Sequence, residues 1–214
     1  GRTVQKGLVH NGNEEMISSF ISSLPFQLTS AQKKVWSEIK EDMESDRQML
    51  RLLQGDVGSG KTLVAALSLI ESVSSCYQGV FMAPTEILAE QHYFRLQEIF
   101  KQFDFELTLL NGSLSQKEKE KRLASIKEGK SDIIIGTHAL FQEDIEYADP
   151  GLVVIDEQHR FGVEQRHKMK QKGENPDLLV MTATPIPRSL ALTIYGDLDV
   201  SVIDELPPGR QPVK

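Results

Sequence analysis

Cysteine is almost absent: Cys76 is the single one in 214 residues. One thiol cannot close an internal disulfide, and with no partner ligand around it the sequence holds no zinc cluster, so Cys76 reads as a small residue at a helix end. Long apolar runs are missing as well. The longest is a handful of residues, where a bilayer crossing needs roughly 20, and the N-terminus lacks the basic-then-apolar order of a secretory leader. The expectation is a cytoplasmic protein. Nor is positive charge in surplus: 24 Lys and Arg stand against 31 Asp and Glu, a net charge of −7. That excludes a uniformly basic nucleic-acid coat and leaves room only for local basic paths. The two richest, "SQKEKEKRLASIKEGK" and "RFGVEQRHKMKQK", read by themselves as solvated helix faces. There is no internal repeat, and 39% hydrophobic with 26% charged residues is the composition of one globular domain with a short appendage.

What is present alternates. "MLRLLQ", "GVFMAP", "FELTLL", "DIIIGT", "LVVIDE" and "LLVMTA" are short apolar runs bounded by Gly, Pro or polar turns, as buried strands of a parallel sheet should be. Between several of them lie amphipathic segments. Residues 61–74 place Val64, Leu67 and Ile70 at helical spacing, and residues 85–100 do so with Leu88, Leu96 and Ile99. Upstream, residues 13–24 predict a short helix closed by Pro25, and Thr29 or Ser30 caps a helix running to about Ser45, with Val35, Ile39 and Met43 on one side. Strands alternating with helices predict an α/β domain with helices on both faces of the sheet. The tail "DELPPGRQPVK" has the proline and glycine content of a linker.

The strongest chemical signal is "GDVGSGKT", residues 55–62, between the first strand and the helix that follows. It satisfies the phosphate-loop pattern at every required position and in the required strand–loop–helix context. Glycines let backbone N–H groups converge on phosphate oxygens, and the positive end of the helix adds to the attraction. Lys61 would reach the β and γ phosphates, and the Thr62 hydroxyl would hold Mg²⁺. Such an enzyme needs a second metal-holding carboxylate at a neighbouring strand end, and "LVVI" delivers Asp156 there. Glu157, next along, is placed to act as general base toward an attacking water. The two acids also suit the start of a following helix, and both uses can hold together.

At this point the motifs carry a family resemblance. "GDVGSGKT", "APTEILAEQH", "GTHAL", "DEQH" and "TATPIPR", in that order, resemble the first motor lobe of superfamily 2 helicases, whose fold is RecA-like. "IIIGTHALFQEDI", "DEQHRFGV" and "TATPIPRSLALTIYGDLDVSVIDELPPGR" narrow the resemblance to the branch that acts on branched DNA. Transcription-repair coupling translocases are a close relation, but they generally carry Glu where this chain has His159. The resemblance runs from about residue 24 to 210.

The resemblance implies an α/β RecA-like P-loop NTPase domain, its central sheet mostly parallel, and it implies ATP and Mg²⁺ as cofactors. Gly55, Asp56, Gly58, Ser59, Gly60, Lys61 and Thr62 would bind the phosphates, with Mg²⁺ on Thr62 and Asp156. In "PFQLTSAQ" Gln32 would read the adenine edge, since an amide offers donor and acceptor together, and Phe26 would pack on the ring. Pro84, Thr85 and Glu86 would open a helix toward a DNA phosphate, and Gly136, Thr137 and His138 would do the same one strand on. Such contacts carry no sequence information, so binding is expected to follow DNA structure. Thr182, Ala183 and Thr184 would link the nucleotide and DNA sites, although threonines at a strand end also serve as plain caps. His159 would join Lys61, Asp156 and Glu157 in the catalytic set by touching the partner lobe or Thr182. Gln165, Arg166 and Arg188 read as surface or interlobe positions.

The implied organisation is an extension from an upstream wedge domain at residues 1–24, an ATP-binding lobe at 25–203, and a linker to a second helicase lobe at 204–214. Partners would be branched or forked DNA, that second lobe and the wedge. With the second lobe's arginines absent, the chain is expected to bind ATP and turn it over slowly. A small-molecule kinase would share Lys61, Thr62 and Asp156, but no acceptor site is visible. A docking module without catalysis would not require Lys61, Asp156 and Glu157 together.

Overall fold

A computed structural model describes residues 6–156, 175–184 and 198–204. Among the described residues the six short apolar runs become the parallel strands β1 (Leu50–Gly55), β2 (Gln78–Met82), β3 (Leu107–Leu110), β4 (Ile133–Gly136), β5 (Pro150–Asp156) and β6 (Asp177–Thr182), and a seventh strand, β7 (Asp199–Ile203), joins them. They form one sheet in the order β3-β4-β2-β5-β6-β1-β7, each neighbouring pair parallel. Side chains alternate between its faces with the period of two that a strand imposes. Leu53, Phe81, Ile135, Val154 and Met181 join one apolar cluster, while Leu52, Val80, Ile134, Ile155 and Val180 join a second on the opposite face.

Helices cover both clusters. On the first face lie α1 (Glu14–Ser23), α2 (Ser30–Glu44), α3 (Lys61–Ser74) and α4 (Glu86–Ile99). On the second, α5 (Gln116–Lys127) buries Ile126, next to a single 3-10 turn over His138–Phe141. The helix α3 has almost no solvated face: Leu63 through Ser72 are all buried, because α1, α2 and three strands surround it. Among the described residues no helix is long and apolar enough to cross a membrane.

Four helices start on a side chain that accepts from the backbone N–H three residues on: Asn13, Thr29, Thr85 and Ser115. The helix α3 starts at Gly60 with no side-chain cap; Leu63 N and Val64 N both donate to Gly60 O, and no side chain caps the amides of Lys61 and Thr62 ahead of them. Cys76 lies just past the end of α3 at φ 67°, where the left-handed conformation commonly stops a helix.

Residues 6–24 pack into the same body. Lys6 bridges Arg47 in antiparallel fashion. The His10 ring is buried, with Nε2 3.2 Å from Ser72 Oγ and Nδ1 3.3 Å from both Met43 O and Asp177 Oδ2. Ile17 and Phe20 then enter the core beside α3.

A polar clamp fixes the loops below the sheet. Buried Gln78 donates through Nε2 to Ile126 O (3.0 Å) and Ser131 O (2.9 Å), and its Oε1 accepts from Ala148 N (2.8 Å) and Asp149 N (3.0 Å). Leucine fills the same volume and makes none of these bonds. With each stranded buried group costing roughly 1–3 kcal/mol, Gln78→Leu is expected to lower unfolding free energy by about 3 kcal/mol in a urea melt. A loss below about 1 kcal/mol would mean that water replaces the amide at those four positions.

Candidate active site

A parallel sheet brings all strand carboxyl ends to one edge, where ligands of open α/β sheets bind. At that edge β1 runs into the glycine loop. Gly58 and Gly60 sit at φ 82° and 94°, conformations open to glycine at little cost. At Gly60 a side chain is excluded a second time, because a Cβ would run into the Gln32 amide. Inside the loop the Ser59 hydroxyl is buried and makes no hydrogen bond. The Lys61 ammonium folds back to donate to Gly55 O and, at 3.0 Å, to Asp56 O. Burial pushes Lys61 below the usual lysine range, and the negative charges of Asp156 and Asp56 pull it back up.

Asp156 ends β5, with β6 between it and β1. Thr182 ends β6, in register with Gln54, so "GDVGSGKT" and "TATP" emerge side by side. Its buried hydroxyl accepts from the Thr184 amide at 3.2 Å, while Ala183 and Thr184 are exposed. For this threonine the structure therefore shows the local turn that is the ordinary use of a hydroxyl at a strand end.

Gln32 is not the exposed helix residue it would be by default. It is 1% exposed, and its amide closes a capping box by accepting from Thr29 N at 2.9 Å while donating to Ser59 O at 3.0 Å. Thus α2 is tied directly to the phosphate loop. Phe26, upstream, is 43% exposed, a flat apolar face open to solvent.

The other half of the edge lies beyond β5, at the ends of β2, β4 and β3. Thr85 is exposed and caps α4, accepting from Leu88 N at 3.2 Å. Glu86 accepts from the Gly112 amide, 2.7 Å away in the loop after β3, and so braces two strand-end loops together. Gly136 and Thr137 are buried and His138 is exposed. Glu157, His159, Gln165, Arg166 and Arg188 lie outside the described residues.

One contact was not legible. His92, two turns into α4, donates from Nε2 to Asp156 Oδ2 at 2.7 Å, with its ring 4.7 Å from that of Phe81. The sequence places His92 inside "APTEILAEQH", but nothing local ties that motif to a carboxylate 64 residues away.

The donor chemistry fits Mg²⁺. Among the described residues no three His, Cys, Asp or Glu converge on a metal position. Thr62 and Asp156 offer two hard oxygens, the small protein share typical of a Mg²⁺ that takes its remaining ligands from phosphates and water.

The sequence profile of the DEAD/DEAH box helicases matches residues 29–193, and the chain belongs to that family. Its relatives are more particular. The chain is 55% identical over 212 residues to the ATP-dependent DNA helicase RecG of Streptococcus pneumoniae, covering 99% of itself and 31% of that protein. It is 54% identical over 200 residues to RecG of Thermotoga maritima, covering 94% of itself and 26% of the relative. A solved structure of RecG bound to a three-way DNA junction superposes with a TM-score of 0.86 at 49% identity, over 97% of this chain and 28% of that one. The chain thus spans a quarter to a third of the length of the curated relatives it matches. The RecA-like α/β fold and the helicase family implied by the motifs both hold.

Proposed function

We propose that the chain is the ATP-binding motor lobe of a DNA-dependent ATPase and helicase that remodels branched DNA, such as stalled forks and recombination junctions, in recombination and repair. The observation that carries the reading is the convergence at one sheet edge of Lys61, folded onto its own loop, and the Asp156 carboxylate whose charge it feels. Arriving phosphates would replace the loop carbonyls as acceptors for Lys61, giving charge-assisted bonds in place of charge–dipole ones. The uncapped amides of α3 and the partnerless Ser59 hydroxyl add donors to the same cradle. Gly55, Asp56, Gly58, Ser59, Gly60, Lys61 and Thr62 form it.

Thr62 and Asp156 would hold Mg²⁺, which offsets phosphate charge when bound. Glu157 would take the proton of the water that attacks the γ-phosphoryl group, and His159 would pass the change to the partner lobe. Phe26 would pack on the adenine. Gln32 would sense the base through the same amide that ties α2 to the loop. Thr182, Ala183 and Thr184 would relay between the two halves of the edge.

DNA is the partner read from the second half, and the likeness to RecG bound to a three-way junction supports it. Thr85, Gly136, Thr137 and His138 would offer backbone N–H groups and hydroxyls to a backbone phosphate, and Pro84, which has no N–H to give, would set the entry of the chain into α4. Glu86 would serve by holding the Gly112 loop, since a carboxylate repels phosphate. On this reading residues 1–24 connect to a wedge domain, 25–203 form the lobe, 204–214 lead to the second lobe, and the protein works in the cytoplasm. Closure and reopening of the lobes would ratchet the duplex past the wedge.

The test is Lys61→Ala in the full-length protein. Losing a charged hydrogen-bond donor to phosphate is expected to weaken ATP binding at least about tenfold and to remove stimulation by forked DNA. Forked DNA that fails to stimulate even the unaltered protein would overturn the reading.

A further inference from the structure

We propose that His92 is a positioning residue that fixes the Asp156 carboxylate for its metal, and that α4 thereby holds the nucleotide half of the sheet edge from the DNA half. The inference rests on the assignment of Asp156 to Mg²⁺. Its basis is a contact across the seam of the site. The strand β5, which ends in Asp156, pairs with β2, and the chain leaving β2 enters α4 through Thr85. His92 then reaches back over that pair to Asp156 Oδ2 at 2.7 Å. The two side chains are only 14% and 25% exposed, and Phe81 packs against the imidazole, its ring centroid 4.7 Å away. A carboxylate held by a packed ring keeps one rotamer and leaves Oδ1 for other ligands. Outer groups that orient a metal-holding side chain in this way typically change metal affinity 10–100-fold when removed.

The same helix carries Thr85 and Glu86 at its N-terminal end, where Glu86 binds the Gly112 amide. Seven residues of α-helix span about 10 Å, so one rigid element reaches from the proposed phosphate contacts to the metal carboxylate.

The experiment titrates Mn²⁺ into the full-length protein saturated with a non-hydrolysable ATP analogue and reads free Mn²⁺ by electron paramagnetic resonance. His92→Phe keeps the ring beside Phe81 and removes the donor. It is expected to weaken Mn²⁺ binding about tenfold or more, with the thermal melt unchanged. His92→Gln, whose amide nitrogen falls near the position of imidazole Nε2, is expected to restore it, and His92→Asn, too short to reach, to match His92→Phe. If His92→Phe and His92→Asn bind Mn²⁺ as the unaltered protein does while Asp156→Asn loses it, the positioning role is overturned and the site reading stands. If Asp156→Asn itself binds Mn²⁺ normally, the site reading fails and this inference with it.

Discussion

This chain alone is expected to hydrolyse ATP about 10³ to 10⁵ times more slowly than the full-length protein on forked DNA, the contribution that an added arginine makes in other phosphate-loop enzymes. That is roughly 4–7 kcal/mol of barrier. The physical reason is charge. The transferred phosphoryl group spreads negative charge over its oxygens, and the described part of the site sets a single ammonium, Lys61, beside the phosphate loop. Lys61 is in addition held near two carboxylates, Asp56 and Asp156. ATP binding should survive, since it rests on the loop amides and Lys61. The measurement is steady-state phosphate release by the 214-residue chain and by the full-length protein, each with and without forked DNA. Rapid turnover by the chain alone would mean that its site is complete, and the motor-lobe reading would give way to a self-sufficient phosphate-loop enzyme.

Glu157→Gln in the full-length protein is expected to cut DNA-stimulated kcat by about 10² to 10⁴, the usual share of a positioned general base, while ATP affinity changes little. An amide keeps the shape and the hydrogen bond to water but cannot accept the proton. Asp156, by contrast, is read as a metal holder, and Asp156→Asn should weaken Mg²⁺-dependent binding itself. Two acids adjacent in the chain would then separate cleanly into a turnover defect and a binding defect. Single-turnover quench kinetics alongside equilibrium nucleotide binding distinguish the two. Normal turnover by Glu157→Gln would remove Glu157 from the base role.

The sequence was most readable where chemistry and backbone agree locally. "GDVGSGKT" announced both its loop and the helix behind it, and α3 occupies Lys61–Ser74 as the spacing of Val64, Leu67 and Ile70 required. The cap of α2 was narrowed to Thr29 or Ser30 for the same reason, since a cap is a contact three residues long, and Thr29 takes it. The last strand was not seen. "DVSVI" forms β7 at the edge of the sheet beside β1, with a mixed burial pattern and a proline-rich tail just beyond, so it carried too little apolar signal to stand out.

The amino-acid sequence by itself determined the sheet class, the phosphate loop, the carboxylate that ends β5 and the family, because each is written in neighbouring residues. Only the tertiary structure decided the strand order, the burial of His10 and Gln78, the anchoring of Gln32 to Ser59, and the bond from His92 to Asp156. Those contacts run from 27 residues apart in the chain, Gln32 to Ser59, to 167, His10 to Asp177. Local propensity is blind to such distances, and it is packing of the two sheet faces that brings the partners within reach.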